Sequence, residues 1–589
     1  FSTETTALTM DRADDTATHR SFDPIDFAVF AGMLGISTVI GVYQAYKSRK
    51  TTDAVGEYLL GGQKMSIFPI SMSLIASYIS GIAILGLPAE MYVYGTQYWS
   101  ILFADLCVPV TMAVVYLPVF YGLGITSSYE PRLERTTPRT PTCVFLAFQL
   151  LYIPLVIYVP ALAFNQVTGM NLHATALLVC AVCIFYTTLG GLKAVVWTDA
   201  IQTIVMFGGV MVVATLGTMR IGGIERVWER NRDTGRIEFF NMNPDPTARH
   251  TFWTVAVGGY LNWLANCSVN QSMVQRCLSM PNLKKANATI VIMTIGIIII
   301  VSLSCYTGLV IFAAFYDCDP VTTKVTKPDQ LLPYFVMEMT GSIPGLPGLF
   351  VAGVFSAALS TMSTGLNSMS GVIYGDMIKP WFRNPVSEVT ASRTMQGIVV
   401  VIGAICVGLV FLKQRSFRSI FIMSRQACRS LSGITAGPLL GMFTLGMFFP
   451  FANSAVRNVA SISLYQSSLN LVAWISFGTQ AAISTGDINY SVKPISIDGC
   501  PDALKNRVNN LTLIAENATS EQLFFLYRMS YLWYTWVGFL TAIILGVLVS
   551  WITGGNVPKS GDEKLYTPMV RGFLRSKLSA TNRQVRRPS

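Results

Sequence analysis

Ionisable side chains are scarce in this chain. Asp, Glu, Lys and Arg make up 12% of its residues, about half of the roughly 25% found in soluble domains. Histidine is scarcer still: His19, His173 and His250 are the only three, and no two stand at zinc-ligand spacing. The eleven cysteines are scattered without metal-ligand spacing, so most read as small packing residues. A Gly-rich phosphate loop, a nucleophile elbow and an HExxH motif are all missing. ATP-driven transport, hydrolysis and enzymatic chemistry in general therefore have no sequence basis, and no organic cofactor is implied. The formal charge of +11 is not gathered on a folded basic domain, which leaves a nucleic-acid partner without support. The residues ahead of the first apolar run are polar and mixed in charge, unlike a cleavable signal peptide.

What the chain has in abundance is apolar sequence. Hydrophobic residues reach 52% and the mean hydropathy is +0.50. Apolar stretches of about 20 residues, each long enough to cross a bilayer, recur along most of the 589 positions. The expected fold is an all-α polytopic membrane protein with the lipid bilayer as its solvent. About thirteen transmembrane helices are predicted, near 26–46, 65–94, 97–122, 143–168, 172–189, 194–218, 251–275, 288–315, 347–375, 395–412, 419–449, 459–483 and 529–553.

Loop charges give an orientation. Lys47, Arg49, Lys50 and Lys64 follow the first span, Arg276, Lys284 and Lys285 the seventh, and Lys379, Arg383 and Arg393 the ninth. With the basic tail 554–589 these read as cytoplasmic, which places the N terminus outside and the C terminus inside. The loop 484–528 then faces the exterior, and it carries glycan acceptors at Asn489, Asn510 and Asn517. The Arg-rich loop 219–250 goes against this pattern, since the same span count puts it outside. Cys318 and Cys500 also fall in predicted external loops, where a disulfide between them could persist.

Polar residues within the spans point to function. A carboxylate deep in a membrane helix costs several kcal/mol unless a cation, a partner or water compensates it. Asp199 is such a residue, with Gln202 on the same helical face. It is either a cation site or an acid at a helix end in the headgroup region, with an ion pair to Lys193 within reach. The second span is long and interrupted by Gly81, Gly86 and Pro88, as in a broken helix whose freed carbonyls line a cavity. In the ninth span Ser356, Ser360, Ser363 and Asn367 fall on one stripe. Such hydroxyls commonly bond back to their own helix, but hydroxyls and carbonyls together are hard ligands suited to an alkali cation.

Longer stretches carry a resemblance. SLIASYISGIAILGLPAEMYVYG (73–95), TTLGGLKAVVWTDAIQTIVM (187–206), NQSMVQRCLSMPNLKKANA (270–288) and ALSTMSTGLNSMSGVIYGDMI (358–378) resemble the sodium/solute symporter family. GITAGPLLGMFTLGMFFP (433–450), FGTQAAI (477–483) and the stretch 526–554 extend the match over nearly the whole chain in family order. The likeness is to the anion-carrying branch of monocarboxylate, multivitamin and iodide transporters. Ser80-Gly81-Ile82-Ala83 stands where the family's sugar carriers have a Gly-Ser-Gly-His-type stretch. Ala83 stands where an iodide carrier has a glutamine, which puts organic anions ahead of iodide.

The resemblance implies a LeuT-like core of two inverted five-helix repeats, at 65–218 and 251–449. Residues 1–25 would be an external segment, 26–64 a peripheral helix and loop, and 219–250 an external loop. Residues 450–553 would hold two C-terminal helices. It implies a small anionic solute carried with Na+ across the plasma membrane by alternating access. One sodium site maps onto the carbonyls of Ala76, Ile79 and Ala357 and the hydroxyls of Ser360 and Thr361, with Ser80 nearby. A second sodium position maps onto Ser77, Asp199, Gln202 and Gln271. Three regions depart from the family pattern: 128–143 with its prolines, 413–432 with Arg415, Arg418, Arg425 and Arg429, and 457–470. Two other classes share these features. A sodium-leak channel would need a ring of like polar groups, and a non-transporting sodium/solute sensor would be expected to lose Asp199 or the Ser360–Thr361 hydroxyls.

Overall fold

The computed structural model describes residues 22–573 apart from 49–52, 125–139, 326, 341–342, 383–385, 417–424, 453–459, 489, 502–523 and 555–561. Every regular element among the described residues is helical. Asn489, Asn510 and Asn517 lie outside them, as do Arg418 and parts of all three departing regions. Helices nevertheless form on both sides of 417–424, with Arg425 and Arg429 in the opening turns of the second.

The chain opens with α1 (Pro24–Ser48) and the short α2 (Ala54–Leu60), whose N-cap Asp53 accepts from the Gly56 amide. The next span is broken. α3 (Ile67–Tyr78) and α4 (Gly81–Tyr94) meet at 57°, with Ile79 and Ser80 extended between them. Ser80 caps α4 by accepting from the Ala83 amide. Gly81 opens α4 where no side chain fits: a Cβ there would lie 2.8 Å from Pro160 Cγ and 3.2 Å from the Val354 carbonyl oxygen.

α5 (Ile101–Thr111) runs through a π-turn at 112–116 into α6 (Leu117–Leu123), and α7 (Thr140–Thr168) follows. α8 (Leu172–Ile221) is 50 residues long, about 75 Å at 1.5 Å per residue and more than twice a ~30 Å hydrocarbon core. It is two spans joined at Gly191, which has a positive φ of 53°. The spans predicted at 172–189 and 194–218 thus meet with no loop between them. Beyond α9 (Ile224–Asp233) comes a second broken span, α10 (Gly259–Ser268) and α11 (Gln271–Leu278), parted at Val269 and Asn270. Asn270 caps α11 by accepting from the Ser272 amide.

The remaining helices are α12 (Leu283–Ala314), α13 (Pro320–Thr323), α14 (Leu331–Thr340), α15 (Leu346–Val372), α16 (Glu388–Ser416), α17 (Arg425–Phe448), α18 (Ala460–Thr485) and α19 (Tyr534–Ile552). Among the described residues eight helices are long and apolar enough to cross a membrane, or nine with the bent α3–α4 pair. The predicted thirteen include the second half of α8, the broken α10–α11, and α17 and α18, whose apolar runs are short or diluted by polar residues.

α15 is the axis of the packing and is buried along almost its whole length. Gly353, Ala357, Ala358, Ser360 and Gly365 keep it thin, so that α8, α7, α1, α3 and α4 all approach closely. A Cβ on Gly353 would come within 3.4 Å of the Met206 backbone. With no water in the bilayer core to solvate polar groups, this close packing is where buried hydroxyls find partners.

Candidate cation and solute site

The two broken spans face one cavity of about 140 Å³. Its lining includes Ser77 and Tyr78 at the end of α3, Ser80, Ile82 and Ala83 at the start of α4, and Asn270, Ser272 and Met273 at the start of α11. Thr361 and Thr364 of α15 close another wall, and Gln149, Asn262, Asn266 and Ser432 add neutral polar groups. No Asp, Glu, Lys or Arg lines it among the described residues. The N-termini of α4 and α11 carry partial positive charge from their unsatisfied amides, and the C-terminus of α3 carries the opposite. One cavity thus presents donor ends to an anion and acceptor ends to a cation.

Asp199 lies beside this cavity, on the second half of α8, and is fully buried. Its Oδ2 accepts from Ser73 Oγ at 2.5 Å and from an Arg276 Nη2–H at 2.9 Å. The same Arg276 nitrogen donates to the Thr364 hydroxyl, which pairs with Ser77 Oγ at 3.2 Å. Ser77 and Asp199 are therefore joined across four helices, α3, α15, α11 and α8, through Thr364 and Arg276. The other carboxylate oxygen, Oδ1, is buried without a hydrogen bond of ordinary geometry among the described residues, and the buried Ser360 hydroxyl stands beside the carboxylate. A carboxylate oxygen and a hydroxyl so placed are hard ligands of the kind an alkali cation takes.

Arg276 corrects the sequence reading. It was counted with the cytoplasmic loop cations, yet it sits on α11, 1% exposed, as the counter-ion of Asp199. The ion pair offered to Lys193 is also corrected: Lys193 pairs with Glu57 of α2. Arg276 is the sixth residue of the eight-residue α11, and at full burial it needs a counter-charge, which Asp199 supplies.

The other predicted residues divide. Ile79 is the extended residue at the break, its carbonyl outside the α3 hydrogen-bond ladder, and Ala76 sits one turn before it. Ser360 and Ala357 are buried on α15, while the Thr361 hydroxyl bonds back to the Ala357 carbonyl at 3.0 Å. Ser80 Oγ serves as the α4 cap. Gln271 is buried in the first turn of α11. Gln202 donates from Nε2 to Ser37 of α1 at 3.4 Å, and its Oε1 is buried without a hydrogen-bond partner among the described residues.

A second polar cluster lies at the far end of α4. Glu90 accepts two bonds from Arg249 at 3.0 Å each, and His250 Nδ1 stands 3.5 Å away. The Arg249 guanidinium lies over the rings of Tyr94 and Tyr490. Burial works against its charge, but Glu90 and the surrounding tyrosines hold its pKa above the ordinary arginine value. Nearby, Cys318 and Cys500 are joined in a disulfide with their Cα atoms 4.9 Å apart.

The chain has known relatives. The sodium-coupled monocarboxylate transporter 1 of Homo sapiens is 38% identical over 90% of this chain and 87% of its own length. The sodium-dependent multivitamin transporter of Oryctolagus cuniculus is 38% identical over 94% of this chain and 86% of its own. Among solved structures, a Na+-coupled sialic acid symporter in a substrate-bound outward-open state superposes with a TM-score of 0.71. It has 21% identity and covers 92% of this chain and 100% of that one, which shows a shared LeuT-like fold. Residues 58–455 match the profile of the Sodium:solute symporter family, a range that takes in both broken helices, Asp199, Arg276 and the α15 hydroxyls, and the chain belongs to that family.

Proposed function

We propose that this protein is a sodium-driven symporter of small monocarboxylates, working by alternating access in the plasma membrane. The observation that carries this reading is the meeting of two helix N-termini, at Ser80 and Asn270, on one cavity that no Asp, Glu, Lys or Arg lines among the described residues. A carboxylate is stabilised by those partial charges without a full counter-charge that would hold it too tightly to release. The names of the relatives at 36–38% identity point the same way.

Sodium is assigned to the acceptor side. Ala76, Ile79 and Ala357 offer carbonyls there and Ser360 and Thr361 hydroxyls, with Ser80 at the edge. A second cation is assigned to Asp199 Oδ1, with Ser77, Gln202 and Gln271 as the further ligands. The repeats are assigned to 65–218 and 251–449, each opening with a broken helix. The N terminus is assigned to the exterior, with glycans at Asn489, Asn510 and Asn517.

The test is radiolabelled uptake into cells or proteoliposomes across lactate, pyruvate, short-chain fatty acids, biotin, pantothenate and iodide, with and without a sodium gradient. Sodium-dependent accumulation of monocarboxylates is expected, with vitamin-like carboxylates second. Strong uptake of glucose or myo-inositol with none of any carboxylate would overturn the reading.

A further inference from the structure

One wall of the cavity is aromatic and is held from behind. Tyr78, the last residue of α3, stacks on Trp263 of α10 with ring centroids 4.1 Å apart and planes 23° from parallel. Both rings line the cavity. The Tyr78 hydroxyl donates to Oδ1 of Asp105, a carboxylate of α5 that is 4% exposed and does not line the cavity. Neither the cation network nor the assigned solute contacts use Asp105. A buried acid in a span is costly, so its position behind a cavity-lining phenol calls for a role.

The chemistry of the contact supplies one. A bond to an ionised acceptor is roughly twice as strong as one between neutral groups. Tyr78 stands at the helix break, where the backbone has left the α-helical path at Ile79. There the ring is least restrained by its own helix, and the anchor at its far end fixes what the backbone does not. Released from Asp105, the ring could swing off Trp263 and lengthen the cavity. Ile82, Phe148 and Tyr152 also line the cavity, so the position of the aromatic pair bears on how long an apolar tail fits among them.

We propose that Asp105 is a positioning residue that locks the Tyr78–Trp263 stack and thereby limits the length of the aliphatic tail the carrier accepts. This rests on the monocarboxylate reading above and adds to it a size rule, namely short-chain acids with a cut-off imposed by a rigid aromatic wall.

The test is sodium-driven uptake of straight-chain acids from acetate to octanoate in wild type, Asp105→Asn, Asp105→Leu, Tyr78→Phe and the Tyr78→Phe/Asp105→Leu double variant. Surface protein is quantified for each. Wild type that takes up none of these acids would sink the monocarboxylate reading itself. Given wild-type uptake, Asp105→Leu and Tyr78→Phe should each lower the ratio of long-chain to short-chain KM by about fivefold, the scale of one hydrogen bond, with kcat for the short acids changed less. The double variant should match either single one, because both remove the same bond. Asp105→Asn keeps a neutral, weaker acceptor for the phenol and should shift the cut-off clearly less than Asp105→Leu. If Asp105→Asn behaves like Asp105→Leu, or if the single effects add, the positioning role is overturned. Should Asp105→Leu fail to reach the membrane, Tyr78→Phe alone decides, and an unchanged cut-off in it overturns the proposal.

Discussion

Asp199 and Arg276 form a fully buried ion pair, and removing either charge leaves the other stranded. Breaking such a pair costs about 3–5 kcal/mol. Arg276→Leu should therefore lower the amount of folded carrier at the surface, and Asp199→Asn placed in the same chain should restore it. Surface biotinylation measures both. Asp199→Asn alone strands Arg276 in turn and should also lower surface protein; per surface molecule it should weaken sodium affinity or change the charge moved per solute, while Asp199→Glu should retain more function. Gln202→Leu should do less harm, since its amide is bonded to Ser37 of α1 rather than to the carboxylate network. Charge-to-uptake ratios decide: an unaltered ratio and unaltered sodium affinity in Asp199→Asn would make the residue structural. Replacing the hydroxyls of Ser360 and Thr361 together by Ala should raise the sodium concentration for half-maximal uptake without loss of surface protein. Unchanged sodium dependence would remove both from the site.

Helix breaks operate one scale up, and glycine is the residue that tests them. Gly191 joins two spans with a positive φ of 53°, and a Cβ there would meet the Tyr58 carbonyl oxygen at 2.8 Å. Gly191→Ala should combine positive-φ strain of about 1–3 kcal/mol with a backbone clash, and lower the melting temperature of the detergent-purified protein. Gly81→Val should abolish uptake more sharply than it lowers expression. Its side chain would press on the Val354 carbonyl at the point where α4 must approach α15. Equal uptake by Gly81→Val and wild type, per surface molecule, would show that the break does not need that approach.

The sequence showed the α3–α4 break through Gly81, Gly86 and Pro88, and the stripe of Ser356, Ser360 and Ser363 is wholly buried. The α10–α11 break, at Val269 and Asn270, has no glycine or proline to announce it, so 251–275 read as one span. Arg276 was misread for a related reason. A cation near the end of an apolar run looks like a loop residue until the broken helix carries it back inward toward Asp199. Through-space partners such as Ser73, Thr364 and Asp105 carry no periodic signal at all.

At the scale of the whole molecule, one segment ties the ends of several helices together. The Lys493 amide donates to the Val93 carbonyl of α4, and its ammonium pairs with Glu238 at 3.0 Å. The Asp319 amide donates to Ser496, the Gly499 amide to Asp317, and Cys500 is bonded to Cys318. The disulfide closes a sequence separation of 182 residues, and loops of that size gain about 5 kcal/mol in the chain-entropy account. Cys500→Ser should therefore lower thermal stability clearly. It also reports orientation, because a structural disulfide persists in an oxidising compartment and the freed Cys318 thiol must face that same side. In intact cells, a membrane-impermeant maleimide should label Cys500→Ser above the wild-type background, which carries the other cysteines unchanged. Treatment of wild type with an impermeant reductant should produce the same gain. Enzymatic removal of N-glycans should shift the mobility of the wild-type chain, and loss of Asn489, Asn510 and Asn517 together should abolish that shift. Labelling that appears only after permeabilisation would invert the assigned topology, and with it the side from which sodium and solute first reach the cavity.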